Sequence, residues 1–238
     1  MKFGLIGKNI GYSKSKDLFD QWGIEYKIYD VNNVEQGLEL AIADKLDGFN
    51  VTKPFKLDIV KYLDCLMPDA DRIKSVNCVK ILNDTFIGEN FDGEAFRISL
   101  QHYVDNHDDW EFDYPHKMAI LGNGGVVPSI LTALHDATDF ATSHHEMTVF
   151  ARNPKGIDEK SLDEFKAKDF DLIVNTIPFE AGIDINFNNK SKFIYYDLNY
   201  ADRKLVEKAK KNKHCSWAID GMDMLERQAE MSLNWWKE

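Results

Sequence analysis

Apolar and polar positions along this chain change period at regular intervals, and each change marks an element. The runs "KFGLIG", "EYKIYDV" and "DGFNV" read as strands. "SKDLFDQWG", a helical pattern that stops on Gly23, lies between the first pair, and "VEQGLELAIA", another helical stretch, between the second. Strands that alternate with helices predict a parallel sheet, because parallel neighbours need a long crossover to connect them. Next comes "SVNCVKILNDTFIGEN", two apolar runs around Asn83-Asp84, which predicts a hairpin and so antiparallel strands on the same sheet. Phe96, Leu100 and Tyr103 then fall near i, i+4 and i+7, predicting a helix from about Asp92 to Val104. The segment "DNHDDWEFDYPHK", Asp105 to Lys117, is charged, holds a proline and has no period; it reads as a linker between domains. Beyond it the alternation restarts: strand "MAIL", a Gly-rich turn, a helix to about Ala137, strand "MTVFA", a short helix near "LDEFKAK", and strand "DLIVNT". Strand "FIYYDL", a lysine-rich helix from Arg203 to Asn212 and a short "CSWAI" follow, and "MDMLERQAEMSLNWW" is a strongly amphipathic last helix. The fold class predicted is α/β in two domains.

Composition narrows the setting. Hydrophobic residues make up 44% of the 238 and aromatics 12%, enough for packed cores and too much for disorder. A net charge of −11 repels phosphate, so no nucleic-acid or membrane-surface partner is expected, although "KSKSK" leaves a local basic spot free to serve a small anion. Cys65, Cys78 and Cys215 are odd in number and form no CxxC pair, which suits free thiols in a reducing cytoplasm. The opening "MKFGLIGKNI" turns polar too early for a signal peptide, and no apolar run approaches the roughly 18 residues of a membrane span. The seven histidines show no metal spacing; His144 and His145 sit in a polar stretch that reads as a loop, and no metal is expected.

Two regions carry candidate chemistry. "LGNGGVVPS" follows a predicted strand and opens a helix, with Gly122 and Gly124 in the positions that let backbone approach a pyrophosphate, and Pro128 tolerable in a first turn. The next strand ends in "VFARNPK", placing Arg152 and Lys155 where a dinucleotide fold reads the adenosine ribose; an arginine there suits a 2′-phosphate, so NADP (NADPH) is the expected cofactor. In the first half, polar groups collect at strand or turn ends: Ser13 and Ser15, the stretch from Asn50 to Lys56, Asn77, and Asn90 with Asp92. Ligands of parallel sheets bind outside the carboxyl ends of the strands, and hydroxyls with amides suit a small polyhydroxylated acid. Each group also has a local reading: Ser15 as a helix cap, Asn77 as a partner for sheet-edge backbone, Asp92 as an N-cap.

Taken together and in order, these stretches resemble the shikimate dehydrogenase family. "YSKSK" is similar to its Ser-x-Ser motif and "NVTKPFK" to its Asn-Val-Thr-x-Pro-x-Lys; "VNC", "ENFDG", "GNGG", "ARNP" and "DGMDMLERQA" stand where it has Val-Asn-Thr, Asn-Thr-Asp-Gly, Gly-Ala-Gly-Gly, Asn-Arg-Thr and Asp-Gly-x-x-Met-Leu-x-x-Gln-Ala. Differences are Tyr12 for a usual His, Lys16 for Pro, Cys78 and Phe91 for Thr, and Pro128 for the arginine after the glycine motif. The resemblance implies an N-terminal, mainly parallel substrate domain over 1–104, a Rossmann-like NADP-binding domain over 105–218, and a C-terminal helix, 219–238, that packs back on the first domain. It implies Lys56 as the catalytic lysine with Asp92 as its partner. Ser13 and Ser15 would bind a substrate carboxylate; Asn50, Thr52, Asn77, Asp92, Tyr200 and Gln228 would surround the ring. Gly122, Asn123, Gly124, Gly125, Arg152, Lys155, Leu198 and Gly221 would hold the cofactor. The implied activity is NADP-dependent reduction of 3-dehydroshikimate to shikimate by a cytoplasmic monomer or homodimer. Quinate or aminoshikimate dehydrogenase and a non-catalytic NADP-binding regulator are the alternatives.

Overall fold

The computed structural model describes residues 1–105, 117–136, 146–156 and 158–238. The chain forms two compact units: Met1–Ala95 with Pro128–Thr132 and Leu225–Glu238, and Phe96–Val127 with Ala133–Met224. The expected linker and the His144–His145 pair lie largely or wholly outside the described residues. The unit boundaries fall inside helices and not at the expected 104/105 and 218/219 divisions. The reason in one case is visible: past Ala95, the Phe96 ring packs edge-on to Tyr196 at 5.0 Å and the Ser99 hydroxyl bonds the Tyr196 hydroxyl at 2.8 Å, drawing residues 96–104 into the second unit.

The first unit is built on β1 (Phe3–Gly7), β2 (Tyr26–Asp30), β3 (Gly48–Val51), β4 (Cys65–Leu66), β5 (Cys78–Leu82) and β6 (Thr85–Glu89), in spatial order β2-β1-β3-β5-β6-β4. β1 runs parallel to both β2 and β3, connected through helices α1 (Ser15–Gln21) and α2 (Val34–Ala43). β5 is antiparallel to β3 and β6. Asn83 and Asp84 turn that hairpin with φ of 49° and 62°, the left-handed pair that a two-residue loop requires and that Asn and Asp tolerate. Three elements went unpredicted: β4, helix α3 (Pro68–Ile73) and a 3₁₀ turn, Asp58–Tyr62. All are short, and α3 starts on a proline, whose missing N–H is no loss at a helix's first position.

Helix α4 (Asp92–Asp105) leads out of the first unit. The second unit holds β7 (Lys117–Leu121), β8 (Glu146–Ala151), β9 (Glu159–Ser161), β10 (Leu172–Asn175), β11 (Phe193–Asp197) and β12 (Cys215–Ile219), every pairing parallel, in order β12-β11-β10-β7-β8-β9. Read from the other edge this is third-second-first-fourth-fifth-sixth, the doubly wound order of dinucleotide folds. Helices α5 (Val127–Asp136) and α6 (Lys204–Lys210) follow β7 and β11. The helix expected near "LDEFKAK" is instead two 3₁₀ turns, Leu162–Glu164 and Ala167–Asp169, preceded by the unpredicted edge strand β9. Phe165 and Phe170 there turn inward against Phe150, at 5.3 and 5.5 Å, so tertiary packing overrides a helical period too short to persist alone.

The last helix, α7 (Met222–Lys237), returns to the first unit from Leu225 onward, as expected. Its Trp236 stacks on Phe3 with ring centroids 4.4 Å apart and donates an indole hydrogen bond to the Val79 carbonyl at 2.9 Å. Phe3, Phe19, Tyr26, Leu233 and Trp236 form one core against this helix; Ile6, Phe49, Val51, Ile59 and Val79 belong to another. No helix among the described residues is long and apolar enough to cross a membrane.

Candidate active site

Strand order in the first unit reverses at β1, whose neighbours β2 and β3 lie on either side, and a crevice at the carboxyl ends of strands forms at such a reversal. The loops leaving β1 and β3 meet there. Lys8 N–H donates to the Lys53 carbonyl at 3.1 Å, Thr52 N–H to the Ile6 carbonyl at 3.0 Å, and the Lys53 ammonium stands 4.9 Å over the Tyr12 ring. The sequence neighbours of those contacts, Ser13 and Thr52, are thereby brought to one place, both half-buried. Ser13 Oγ accepts from the Ser15 N–H at 3.3 Å and donates to Ser15 Oγ at 3.2 Å. Ser15 does not cap α1. Its buried hydroxyl and that of Ser13 form a pair of rotatable donors. Lys14 and Lys16 point away into ion pairs with Asp17 and Asp20.

Lys56 and Asp92 come together from elements 36 positions apart: Nζ to Oδ2 is 2.6 Å, with side chains 16% and 6% exposed. Several bonds fix that geometry. The Lys56 carbonyl accepts from Val76 N–H at 2.9 Å, tying the loop to the lead-in of β5. Asn77 donates through Nδ2 to Asp92 Oδ1 at 2.9 Å and accepts from Phe91 N–H at 2.9 Å, so it serves the sheet-end backbone and the carboxylate at once. The capping role that Asp92 could have filled falls to Asn90, whose Oδ1 accepts from Asp92 N–H at 3.0 Å. Both Asp92 oxygens are therefore left to side chains. A buried ammonium–carboxylate pair held this way needs such extra bonds to offset its loss of hydration. Gln228, on α7, brings Oε1 within 3.5 Å of Asn77 Nδ2. Asn50 sits one layer back: its amide donates to the Asn77 carbonyl at 3.2 Å and to Ser232 Oγ at 2.8 Å, and accepts from the Tyr26 hydroxyl at 2.8 Å. Burial holds the Glu89 carboxyl above its usual range, partly countered by the hydrogen bond from Asn90 N–H. Burial also pushes the Cys78 thiol far above the thiol range, which leaves it an inert packing group.

The second unit reverses strand order between β7 and β10, and the glycine turn leaves β7 at that point. Gly122 takes φ +106°, and a Cβ there would press on the Thr176 hydroxyl, so the turn requires glycine. Gly124 has nothing within 4 Å of where its Cβ would stand, which leaves the backbone open to a ligand. Such a turn at the start of a helix fits the pyrophosphate of a dinucleotide. Arg152 and Lys155 lie exposed in the loop after β8, and Arg152 makes no hydrogen bond or ion pair with the described residues. Opposite, the loop carrying Leu198 and Tyr200 is braced by Asp197, whose carboxylate accepts from Asn175 at 3.0 Å, Tyr195 at 2.8 Å and the Asn199 side chain at 2.7 Å. Burial raises the Asp197 carboxyl above its usual range against those bonds. Gly221 lies so close to the Leu198 carbonyl that any Cβ would collide with it. Among the described residues no group of three or more His, Cys, Asp or Glu is placed to hold a metal.

A family model described as the shikimate dehydrogenase substrate binding domain matches residues 5–79. A shikimate dehydrogenase (NADP(+)) of Clostridium botulinum is 32% identical over 261 residues, spanning 98% of this chain and 95% of the relative. The chain belongs to the shikimate dehydrogenase family. The shikimate dehydrogenase structure of Thermotoga maritima aligns at TM-score 0.76 and 27% identity, covering 100% of this chain and 94% of that one. A shikimate dehydrogenase crystallised in complex with NADP+ aligns at TM-score 0.76 and 26% identity, covering 98% and 88%. Within this family fold, four participants were missed by sequence reasoning. Tyr26 and Ser232 hold Asn50, and Ser129 donates to Asn90 Oδ1 at 3.1 Å. No motif marks them, because their role exists only in contact. A fourth, Glu159, lies in the unpredicted strand β9.

Proposed function

We propose that the chain is an NADP-dependent shikimate dehydrogenase, catalysing 3-dehydroshikimate + NADPH + H⁺ ⇌ shikimate + NADP⁺. The observation that carries this reading is the Lys56–Asp92 pair, 2.6 Å apart and largely shielded from water beside hydroxyl and amide donors. NADPH, when bound, supplies the hydride. Lys56 holds a proton for the carbonyl oxygen and releases it as negative charge develops there, while Asp92 fixes the ammonium and accepts from a neighbouring ring hydroxyl. Thr52, Asn77 and Gln228 bind further ring hydroxyls, and Asn50 positions them from behind. The unit of Met1–Ala95 and the last helix serves the substrate; the unit with the glycine turn serves the nucleotide, through Gly122, Asn123, Gly124, Gly125, Arg152, Lys155, Leu198 and Gly221. The enzyme acts on a small molecule, in the cytoplasm.

The test is NADP⁺ reduction by purified protein with shikimate, with quinate and NAD⁺ as comparisons. Arg152 contributes a charge-assisted contact of roughly 1.5–3 kcal/mol to a 2′-phosphate, so NADP⁺ is preferred over NAD⁺ by about tenfold or more. In Arg152→Ala that preference collapses. No turnover with shikimate and NADP⁺ would overturn the reading, and an Arg152→Ala enzyme with its preference intact would remove the arginine from it.

Ser13 and Ser15 anchor the substrate carboxylate by turning both hydroxyls outward to it. Each bond is present in ground and transition states alike, so Ser13→Ala or Ser15→Ala should raise KM for shikimate by about tenfold, equivalent to roughly 1.5 kcal/mol, with kcat nearly unchanged. A collapse of kcat at constant KM would assign the serines another role.

A further inference from the structure

The glycine turn and the loop after β8 are tied together by one carboxylate. Glu159 Oε2 accepts from Asn123 Nδ2 at 2.8 Å and from the Lys155 backbone N–H at 2.9 Å, while the same Asn123 nitrogen donates to the Asn153 carbonyl at 3.0 Å. Glu159 opens β9, which pairs alongside β8 with Glu159 opposite Val149, so the strand edge directs its side chain to this corner. Asn123 lies between the two glycines of the turn, and Lys155 lies in the loop with Arg152. A fixed negative charge thus sits one hydrogen bond from the loop assigned to the adenosine ribose. It is half-buried.

That charge acts differently on the two nicotinamide dinucleotides. A 2′-phosphate at Arg152 and Lys155 would carry about two negative charges, and a carboxylate bonded to the Lys155 backbone would repel it. A 2′-hydroxyl is neutral and is a donor that a carboxylate accepts, the pattern by which an acidic residue in this corner of a dinucleotide fold selects NAD. We propose that Glu159 is a specificity-determining residue that narrows the chain's preference for NADP over NAD, opposing Arg152 at the same subsite. This rests on the reading of the second unit as the nucleotide unit.

The experiment is isothermal titration of NADP⁺ and of NAD⁺ into the wild-type chain, Glu159→Gln and Glu159→Ala. The glutamine keeps an oxygen acceptor for Asn123 and Lys155 and removes only the charge. Glu159→Gln is expected to lower Kd for NADP⁺ by about tenfold, or about 1.4 kcal/mol, while Kd for NAD⁺ stays the same or rises. The gain should shrink at high salt, as an effect of charge must. Glu159→Ala, lacking the acceptor as well, should still shift the ratio toward NADP⁺. A ratio within twofold of wild type in Glu159→Gln overturns the proposal while leaving NADP⁺ binding intact. Equal weakening of both nucleotides in both variants also overturns it, by showing a merely structural tie. Wild-type protein that bound neither nucleotide would instead remove the underlying reading, and the proposal with it.

Discussion

Lys56→Ala should lower kcat for shikimate oxidation by about a hundredfold or more, the usual effect of deleting an acid–base group, equivalent to roughly 2.7 kcal/mol of transition-state stabilisation. The ammonium lies 2.6 Å from Asp92 on a side chain only 16% exposed, so water does not readily replace it as proton donor. NADPH affinity should persist, because the nucleotide contacts proposed above all lie in the other unit. Asp92→Asn should act in the same direction by releasing the hold on Lys56, and the double variant should lose less than the two effects combined, since the pair works as a unit. Lys53 provides the control. It is three residues earlier in the same loop, precedes Pro54 and lies over the Tyr12 ring. Lys53→Ala should leave kcat within about a few-fold, below the range of acid–base loss. Steady-state kinetics on the four variants decides the matter; a dead Lys53→Ala beside an active Lys56→Ala would reverse the assignment.

Trp236→Ala should destabilise the protein by about 3–5 kcal/mol, the range for removing a large buried aromatic side chain. Trp236 is 3% exposed. Its ring lies on Phe3 and its indole N–H satisfies the Val79 carbonyl, so the alanine variant leaves both a cavity and an unpaired carbonyl. The same helix carries Gln228 and Ser232 toward Asn77 and Asn50, and loosening it should therefore also raise KM for shikimate. Trp236→Phe keeps the stack and loses only the hydrogen bond; it should cost about 1–3 kcal/mol, the penalty of a carbonyl left without a partner. Denaturant unfolding of the three proteins measures these differences. A loss below about 1 kcal/mol for the alanine variant would mean that the helix is held elsewhere, since a core cavity of this size costs more.

Much of this fold is legible in the sequence. Most strands and helices of both units follow from apolar period, the hairpin from Asn83-Asp84, and the α/β class of the second unit from its alternation, because these signals are local and repeat over several residues. The doubly wound strand order of that unit is a finding of the structure. Elements of two or three residues, β4 and β9, are not legible, since so short a run has no period to read. The segment 162–169 was misread as a helix because nothing local reveals that Phe165 and Phe170 must face Phe150.

The candidate site divides along the same line. Residue types and spacing singled out the glycine turn and the polar stretches that hold Lys56, Asn77 and Asp92, and the family resemblance implied the roles of Lys56 and Asp92. Only the tertiary structure distributed the tasks among them. It gave the cap of α4 to Asn90 and so freed Asp92, and it joined Asn50 to Ser232 across 182 positions of chain. It also set Glu159 against the loop that carries Arg152. A side chain's identity fixes what it can donate, accept or repel; which partner it meets depends on strand order, register and the return of the last helix, and those are settled by packing among residues far apart in sequence.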